Sequence, residues 1–265
     1  MNADWRTRYE LAVETTQKAG QLALSHFDRG IVIEWKQDNS PVTLADRAAE
    51  EYLRKTVLNT FPNDGFLGEE YGDHAGTSGF RWIVDPIDGT RNYVRNIPIW
   101  GTLVGLTYQG KTIAGVIDVP ALGQTYRALR GDGAYRGERR IHVSKVRSLA
   151  EATIFYTSLS WFQRAKRMDA FLELSLRTQV QRGYGDFYGH MLVAQGSGEL
   201  MVEAGVHIWD VAAIQPIVEE AGGRFSDWDG NVTIERPDVV ISNGLLHDEA
   251  LHVLRSRSTK PEETS

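Results

Sequence analysis

Carboxylates gathered around a turn are the groups in this sequence best placed to do chemistry. Trp82-Ile83-Val84-Asp85-Pro86-Ile87-Asp88-Gly89-Thr90 sets two aspartates, a proline, a glycine and a threonine behind a short apolar run. That run reads as a buried strand ending in Val84. Pro86 fixes φ and lacks an amide proton, so a central strand is not expected to continue through it. Asp85 and Asp88 would then stand at the carboxyl end of a strand, where open α/β sheets build their sites. Gly89 lets the main chain approach a ligand closely, and Thr90 adds a hydroxyl. Hard oxygen donors packed this way suit Mg²⁺, which takes a few carboxylates and leaves positions for phosphate and water. An isolated D-x-x-D-G is more often a solvated turn. Three further acidic groups shift the balance: Asp46, the pair Glu69-Glu70, and Asp210. Each falls at the end of a predicted strand or in the first turn of a predicted helix. At such a helix start Asp210 also has a plainer role, since the dipole favours a carboxylate there.

The bulk composition narrows the setting. With 265 residues, 42% apolar and 24% charged, the chain matches an ordinary globular protein long enough for one large domain. A net charge of −6 argues against nucleic-acid or anionic-membrane surfaces, and means that an anionic substrate needs cations or local dipoles to be attracted. The absence of cysteine closes off disulfides and thiolate metal sites and fits a reducing cytoplasm. Residues 1–16 are dotted with Asp4, Arg6, Arg8, Glu10 and Glu14, unlike a signal peptide, and no apolar run has membrane-spanning length. The expectation is a cytoplasmic protein that contacts neither membrane nor nucleic acid.

The elements that must position the acids follow from periodicity and punctuation. A helix is predicted over 5–27, a strand over 31–35 and a loop over 40–42. Thr43 reads as an N-cap with Asp46 as its capping-box partner, opening a helix to about 58. A brief strand is predicted at 66–70, a polar loop at 72–79, and β runs at 101–108 and 112–119 joined by a hairpin turn at Gln109-Gly110-Lys111. Further β structure is expected at 124–129 and 141–143. The second half, from about 148, alternates strands at 153–158, near Val180, 200–202, 223–226 and 239–242 with helices at 162–176, 188–194, 209–221 and 247–257. Pro216 should remove one hydrogen bond from the 209–221 helix and bend it. One domain is expected over 1–258, with a metal-binding half (1–147), a substrate-selecting half (148–258) and a disordered tail from 258 or 259 to 265.

Gly68-Glu69-Glu70, then Trp82 to Tyr93, then Trp209-Asp210-Val211-Ala212-Ala213 ending in Glu220-Ala221-Gly222-Gly223 resemble the motifs of the inositol monophosphatase family in order and spacing over about 10–250. The resemblance implies a mixed α/β (α+β) fold, a layered α-β-α-β-α sandwich of the inositol monophosphatase and fructose bisphosphatase type. It further implies a phosphatase that uses two or three Mg²⁺ ions and forms a homodimer. Carried onto this chain, Glu69, Asp85 and the Ile87 carbonyl would hold one ion, and Asp85, Asp88 and Asp210 a second. Asp46 and Thr90, with Glu69 nearby, would orient the attacking water. The amides of Gly89 and Thr90, beside Asp88, would hold the phosphate. A divalent ion lowers the pKa of water bound to it, so no covalent phospho-enzyme is required.

Substrate choice is expected to lie in Gly183-Tyr184-Gly185-Asp186-Phe187-Tyr188-Gly189-His190. G-D-x-Y-x-H is similar to the histidinol-phosphate phosphatase branch of the family. Asp186 could pair with an amine or imidazole N–H, Phe187 or Tyr188 could pack on a ring, and Glu203 would be a second acceptor. His190 is a substrate contact or, more simply, a satisfied interior histidine. The reading is a phosphomonoesterase acting on L-histidinol phosphate. The alternatives are inositol 1-phosphate, a nucleotide 3′-phosphate, or a phospholigand-binding relative without activity.

Overall fold

The computed structural model describes residues 2–29, 33–35 and 41–256. In chain order the first half comprises α1 (Ala3–His26), β1 (Ile33–Trp35), β2 (Pro41–Thr43), α2 (Leu44–Thr60), β3 (Gly65–Gly68), β4 (Gly72–His74), β5 (Phe80–Asp88), α3 (Thr90–Tyr93), β6 (Gly101–Tyr108) and β7 (Lys111–Val119). Then come β8 (Gln124–Leu129), β9 (Gly133–Arg136), β10 (Arg139–Arg140), β11 (Thr153–Tyr156), α4 (Leu159–Arg164), α5 (Met168–Leu176), β12 (Val180–Arg182) and α6 (Asp186–Ala194). The chain closes with β13 (Leu200–Ala204), α7 (Ile208–Val211), α8 (Ile214–Glu220), β14 (Arg224–Ser226), β15 (Asp238–Ser242) and α9 (His247–Arg255).

Two large sheets divide the molecule. One has eight strands in the order β10-β9-β8-β7-β6-β5-β3-β4, the other five in the order β12-β11-β13-β15-β14. Alternation along β5 sorts its faces. Trp82 and Val84 pack with Tyr9 and Ala12 of α1 and Leu53 and Val57 of α2. Ile83 joins a central core with Leu103 and Ile117 of the same sheet, Met191 of α6, Ile214 and Ile217 of α8, and Met201 and Ile241 of the smaller sheet. On that sheet's far face Ile154, Val202 and Val240 meet Phe162 of α4, Phe171 of α5 and Leu251 of α9. The layers therefore run α-β-α-β-α, as the motifs implied.

The middle helical layer sits unusually close to the eight-stranded sheet. Gly105 and Gly115 pair across β6 and β7. A Cβ on Gly105 would come within 2.7 Å of Ala212, and one on Gly115 would overlap the Ala213 carbonyl. These two glycines leave room for the turn between α7 and α8 to lie against the sheet.

Several boundaries differ from expectation. β5 does not stop at Val84 but runs to Asp88, because the pairing with β6 shifts between Asp85 and Asp88. This irregularity accommodates a proline in a central strand, and the Pro86 carbonyl accepts the Thr102 hydroxyl at 2.8 Å. The predicted loop at 72–79 contains β4, and the predicted loop at 40–42 gives way to β2, residue 40 lying outside the described residues. Residues 31 and 32 of the expected strand and the tail from 257 onward also lie outside them. The stretch 141–143 is not a strand: Ile141 donates to Ala134 and Val143 to Ala221, so it leaves the sheet edge to reach the second half. The helix expected over 162–176 breaks into α4 and α5 around Lys166, which takes a left-handed φ of 56°. The 209–221 helix breaks at Ala212-Ala213, the residues seated on the two glycines, four and three positions before Pro216. α6 begins at Asp186, two residues earlier than predicted.

Asp118 on β7 offers a stability test. It is 5% exposed, with one oxygen accepting the Thr125 hydroxyl at 2.7 Å and the other without a hydrogen-bond partner among the described residues. Burial pushes its pKa up to about 6 from 3.8. The folded protein therefore holds this proton more tightly than the unfolded chain, and the associated stability is lost as pH rises from 3.8 to about 6. In Asp118→Asn, urea unfolding should show the variant gaining on the wild type by up to about 3 kcal/mol between acid and neutral pH. An unchanged difference across that window would mean that Asp118 titrates as an ordinary carboxylate.

Candidate active site

In a regular strand, residues three apart face opposite sides of the sheet. The register shift in β5 brings Asp85 and Asp88 together all the same. α7, resting on the sheet through the Gly105–Gly115 step, adds Asp210. Oxygens of these three carboxylates lie within 4.8 Å of one another. Each carboxylate also accepts a main-chain amide: Asp85 from Ile87 at 3.0 Å, Asp88 from Phe187 at 2.7 Å, and Asp210 from His207 at 2.7 Å.

All three acids are held well above the usual carboxylate range. At Asp85 burial leads, followed by the charges of Glu69, Asp88, Asp210 and Asp46. At Asp88 burial is followed by Asp186, Asp210 and Glu203. At Asp210 burial dominates, the His207 amide opposes it, and Glu69, Glu203 and Asp186 add to the rise. Negative groups from both halves of the chain therefore converge on one point. An all-oxygen, multiply charged donor set fits hard divalent cations, and Asp85, Asp88 and Asp210 are the residues that would hold them.

The remaining predicted site residues surround this cluster. Glu69 follows β3, its amide donating to the Val84 carbonyl at 3.3 Å, and its charge acts on Asp85 and Asp210. Asp46 is buried in the first turn of α2, where it accepts both the amide and the hydroxyl of Thr43 at 2.8 and 2.6 Å. Burial first, then Glu70 and Glu69, raise its pKa to about 7 against those hydrogen bonds. The capping box read from the sequence thus also carries a candidate catalytic acid. Thr90 donates its hydroxyl to the Ile87 carbonyl at 2.9 Å, so Thr90 and Asp46 are engaged with different partners. The Ile87 side chain is buried with Tyr93 and Trp100. Gly89 takes a left-handed φ of 82°, and a Cβ there would stand 3.5 Å from Asp186 and 3.1 Å from the Ile99 carbonyl.

The run expected to select substrate divides in two. Asp186, half-buried, adopts a left-handed φ of 56° at the start of α6 and accepts from the Asn92 amide group at 3.3 Å. Burial, then Glu203, push its pKa up to about 7, while Arg91 pulls it down. Tyr188 is partly buried, edge-on to Tyr184. Phe187 lies elsewhere: its ring is fully buried in the central core against Gly101, so its contribution to the site is its amide on Asp88. His190 is likewise fully buried: one ring nitrogen, Nε2, pairs with Glu203 at 2.8 Å, while Nδ1 has no hydrogen-bond partner among the described residues, so the histidine is interior but only half satisfied. Asn92 received no role from sequence reasoning, although it stands inside the central motif. Its side chain ties the Ile99 carbonyl, at 2.8 Å, to Asp186.

Converging carboxylates enclosed by five layers fit a cation site, and the family and relatives that the chain matches make it a phosphoric monoester hydrolase. The chain belongs to the inositol monophosphatase family, whose description matches residues 4–259. It is 41% identical over 226 residues to a histidinol-phosphatase of Chlorobaculum parvum, covering 85% of this chain and 87% of that protein. A histidinol-phosphatase of Streptomyces coelicolor is 42% identical over 236 residues, covering 85% and 88%. The solved inositol monophosphatase of Anabaena superposes with a TM-score of 0.84 at 27% identity, covering 95% of this chain and 96% of that one.

The cluster predicts opposite effects of one substitution with and without metal. Asp210→Asn removes a repelling charge but keeps an oxygen for the His207 amide, so in chelator the variant should melt at or above the wild-type temperature. Excess Mg²⁺ should stabilise the wild type, by about 2.7 kcal/mol at a hundredfold over Kd, and stabilise the variant far less. Equal Mg²⁺ stabilisation of both proteins would remove Asp210 from the cation site.

Proposed function

We propose that the protein hydrolyses L-histidinol phosphate to L-histidinol and phosphate, with Mg²⁺ held by Glu69, Asp85, the Ile87 carbonyl, Asp88 and Asp210. Two or three ions, when bound, would neutralise phosphoryl charge and make water more acidic. Asp46, Glu69 and Thr90 would orient the attacking water once Thr90 turns from the Ile87 carbonyl, and Asp46, buried beside other acids, would be the acceptor for its proton. The amides of Gly89 and Thr90, first-turn donors of α3, face the phosphoryl oxygens. The homodimer and cytoplasmic setting expected from the sequence belong to the same reading.

The observation that carries the substrate assignment is Asp186 over Gly89, held by Asn92 and facing the charge of Glu203. Two acids beside a phosphate site favour an ester whose other end is cationic, and histidinol phosphate carries a primary ammonium and an imidazole. His190 keeps Glu203 oriented, and Tyr188 offers an aromatic face. The likeness to histidinol-phosphatases at about 40% identity supports this choice. Glu203 alone would also suit a polyol hydroxyl, which makes inositol 1-phosphate the second reading.

Purified protein with Mg²⁺ should hydrolyse histidinol phosphate with a kcat/KM more than about tenfold, or 1.4 kcal/mol, above that for inositol 1-phosphate. Asp186→Asn should raise KM for histidinol phosphate roughly 10- to 100-fold, the loss expected for a charge-assisted hydrogen bond, and, because it removes a neighbouring charge but no cation ligand, lower Mg²⁺ stabilisation far less than Asp210→Asn does. A tenfold preference for inositol 1-phosphate would reassign the substrate.

A further inference from the structure

α2 carries a second buried acid toward the cluster. Glu50 follows Asp46 by four residues, so both side chains leave the same face of the helix. Glu50 is fully buried and reaches the turn after β3. One carboxylate oxygen accepts the Glu70 amide at 2.7 Å, and the other accepts the Tyr71 amide at 2.9 Å. Two oxygens on two consecutive amides form a charge-assisted clamp, which a glutamine, with a single acceptor oxygen, cannot reproduce. Gly68 admits the clamp: a Cβ there would overlap the Glu50 carboxylate. Between Gly68 and the clamped amides stands Glu69, whose own amide bonds to β5 through Val84. The main chain around Glu69 is therefore fastened to β5 on one side and to α2 on the other.

We propose that Glu50 is a positioning residue for the cation site, fixing the backbone so that the Glu69 carboxylate stays beside Asp85 and Asp210. Its acidity sharpens the point. Glu50 lies close enough to Glu69 and Glu70 for their charges to act on it, so it adds repulsion to an already acidic region. An arrangement needed only to fill space would not require a carboxylate there. The proposal rests on Glu69 being a cation ligand.

Mg²⁺ titrated by calorimetry without substrate, into wild type, Glu50→Gln, Glu69→Gln and the double variant, separates the two ideas. Circular dichroism reports whether each protein is folded. Glu50→Gln should weaken Mg²⁺ binding on the order of 10- to 100-fold, as removal of a ligand's supporting hydrogen bonds does elsewhere. The double variant should bind no more weakly than Glu69→Gln, because Glu50 acts through Glu69. Wild-type affinity in Glu50→Gln, or a loss that adds in full to that of Glu69→Gln, overturns the proposal. Unchanged affinity in Glu69→Gln overturns the ligand reading and the proposal with it. Gly68→Ala displaces the clamp from the other side and decides the matter if Glu50→Gln does not fold: weakened Mg²⁺ binding supports the proposal, and wild-type affinity overturns it.

Discussion

Mutual repulsion among buried and half-buried carboxylates is the constraint on which the structure depends. Asp85, Asp88 and Asp210 come within 4.8 Å of one another, with Glu69, Asp46, Asp186 and Glu203 adding to the field. Desolvating even one such charge costs several kcal/mol, so the cluster persists only because other interactions impose it. Hydrophobic layers on both sides of the eight-stranded sheet supply the driving force, and single main-chain amides fix each acid locally. Those amides come from Ile87, Phe187 and His207, each beside or across from a different element. A fold that places its acids this way is prepared for cations before any arrive.

The same constraint explains features that look unrelated. The irregularity in β5 puts two aspartates at one point although their spacing would separate them on a regular strand. The bare backbone at Gly105 and Gly115 lets the α7–α8 turn descend far enough for Asp210 to join them. Asp186 holds a left-handed conformation at the start of α6 while the next amide bonds to Asp88. Strain of about 1–3 kcal/mol in a non-glycine residue persists where the surroundings over-determine it, and sites are where this is commonly found.

Much of this was legible from the residues. The capping box of Thr43 and Asp46 and the hairpin at 109–111 were visible because each depends on residues near one another in sequence, whereas the acids at 69, 85, 88 and 210, spread along the chain, were joined only by the family resemblance of their motifs. What escaped notice depends on contacts across the fold. A proline is a sound reason to end a strand, yet a shifted register absorbs Pro86 and carries β5 on to Asp88. Phe187 and His190 have the chemistry of substrate contacts, but their burial follows from where α6 packs, which no local pattern encodes. Lys166 breaks a helix whose apolar spacing is otherwise continuous, through a backbone angle invisible in composition. Asn92 was in plain view inside the motif. Its link to Asp186 joins residues 94 apart, beyond the reach of spacing rules.

Phe187 meets Asp88 through its backbone, whereas its ring is buried elsewhere. The bond therefore does not depend on which side chain stands at 187, provided that it is not proline. Of the partly exposed positions on either side, Tyr188 can change character without detaching α6 from the acid beneath it, whereas the left-handed backbone at Asp186 confines that position to residues such as asparagine and glycine that tolerate it. Diversification of ligand preference in this scaffold can thus proceed one helical turn at a time over an inherited ionic floor. A library randomised at 184 and 188, with residue 186 kept as aspartate and residue 187 kept apolar, would explore new esters while leaving the cation cage in place.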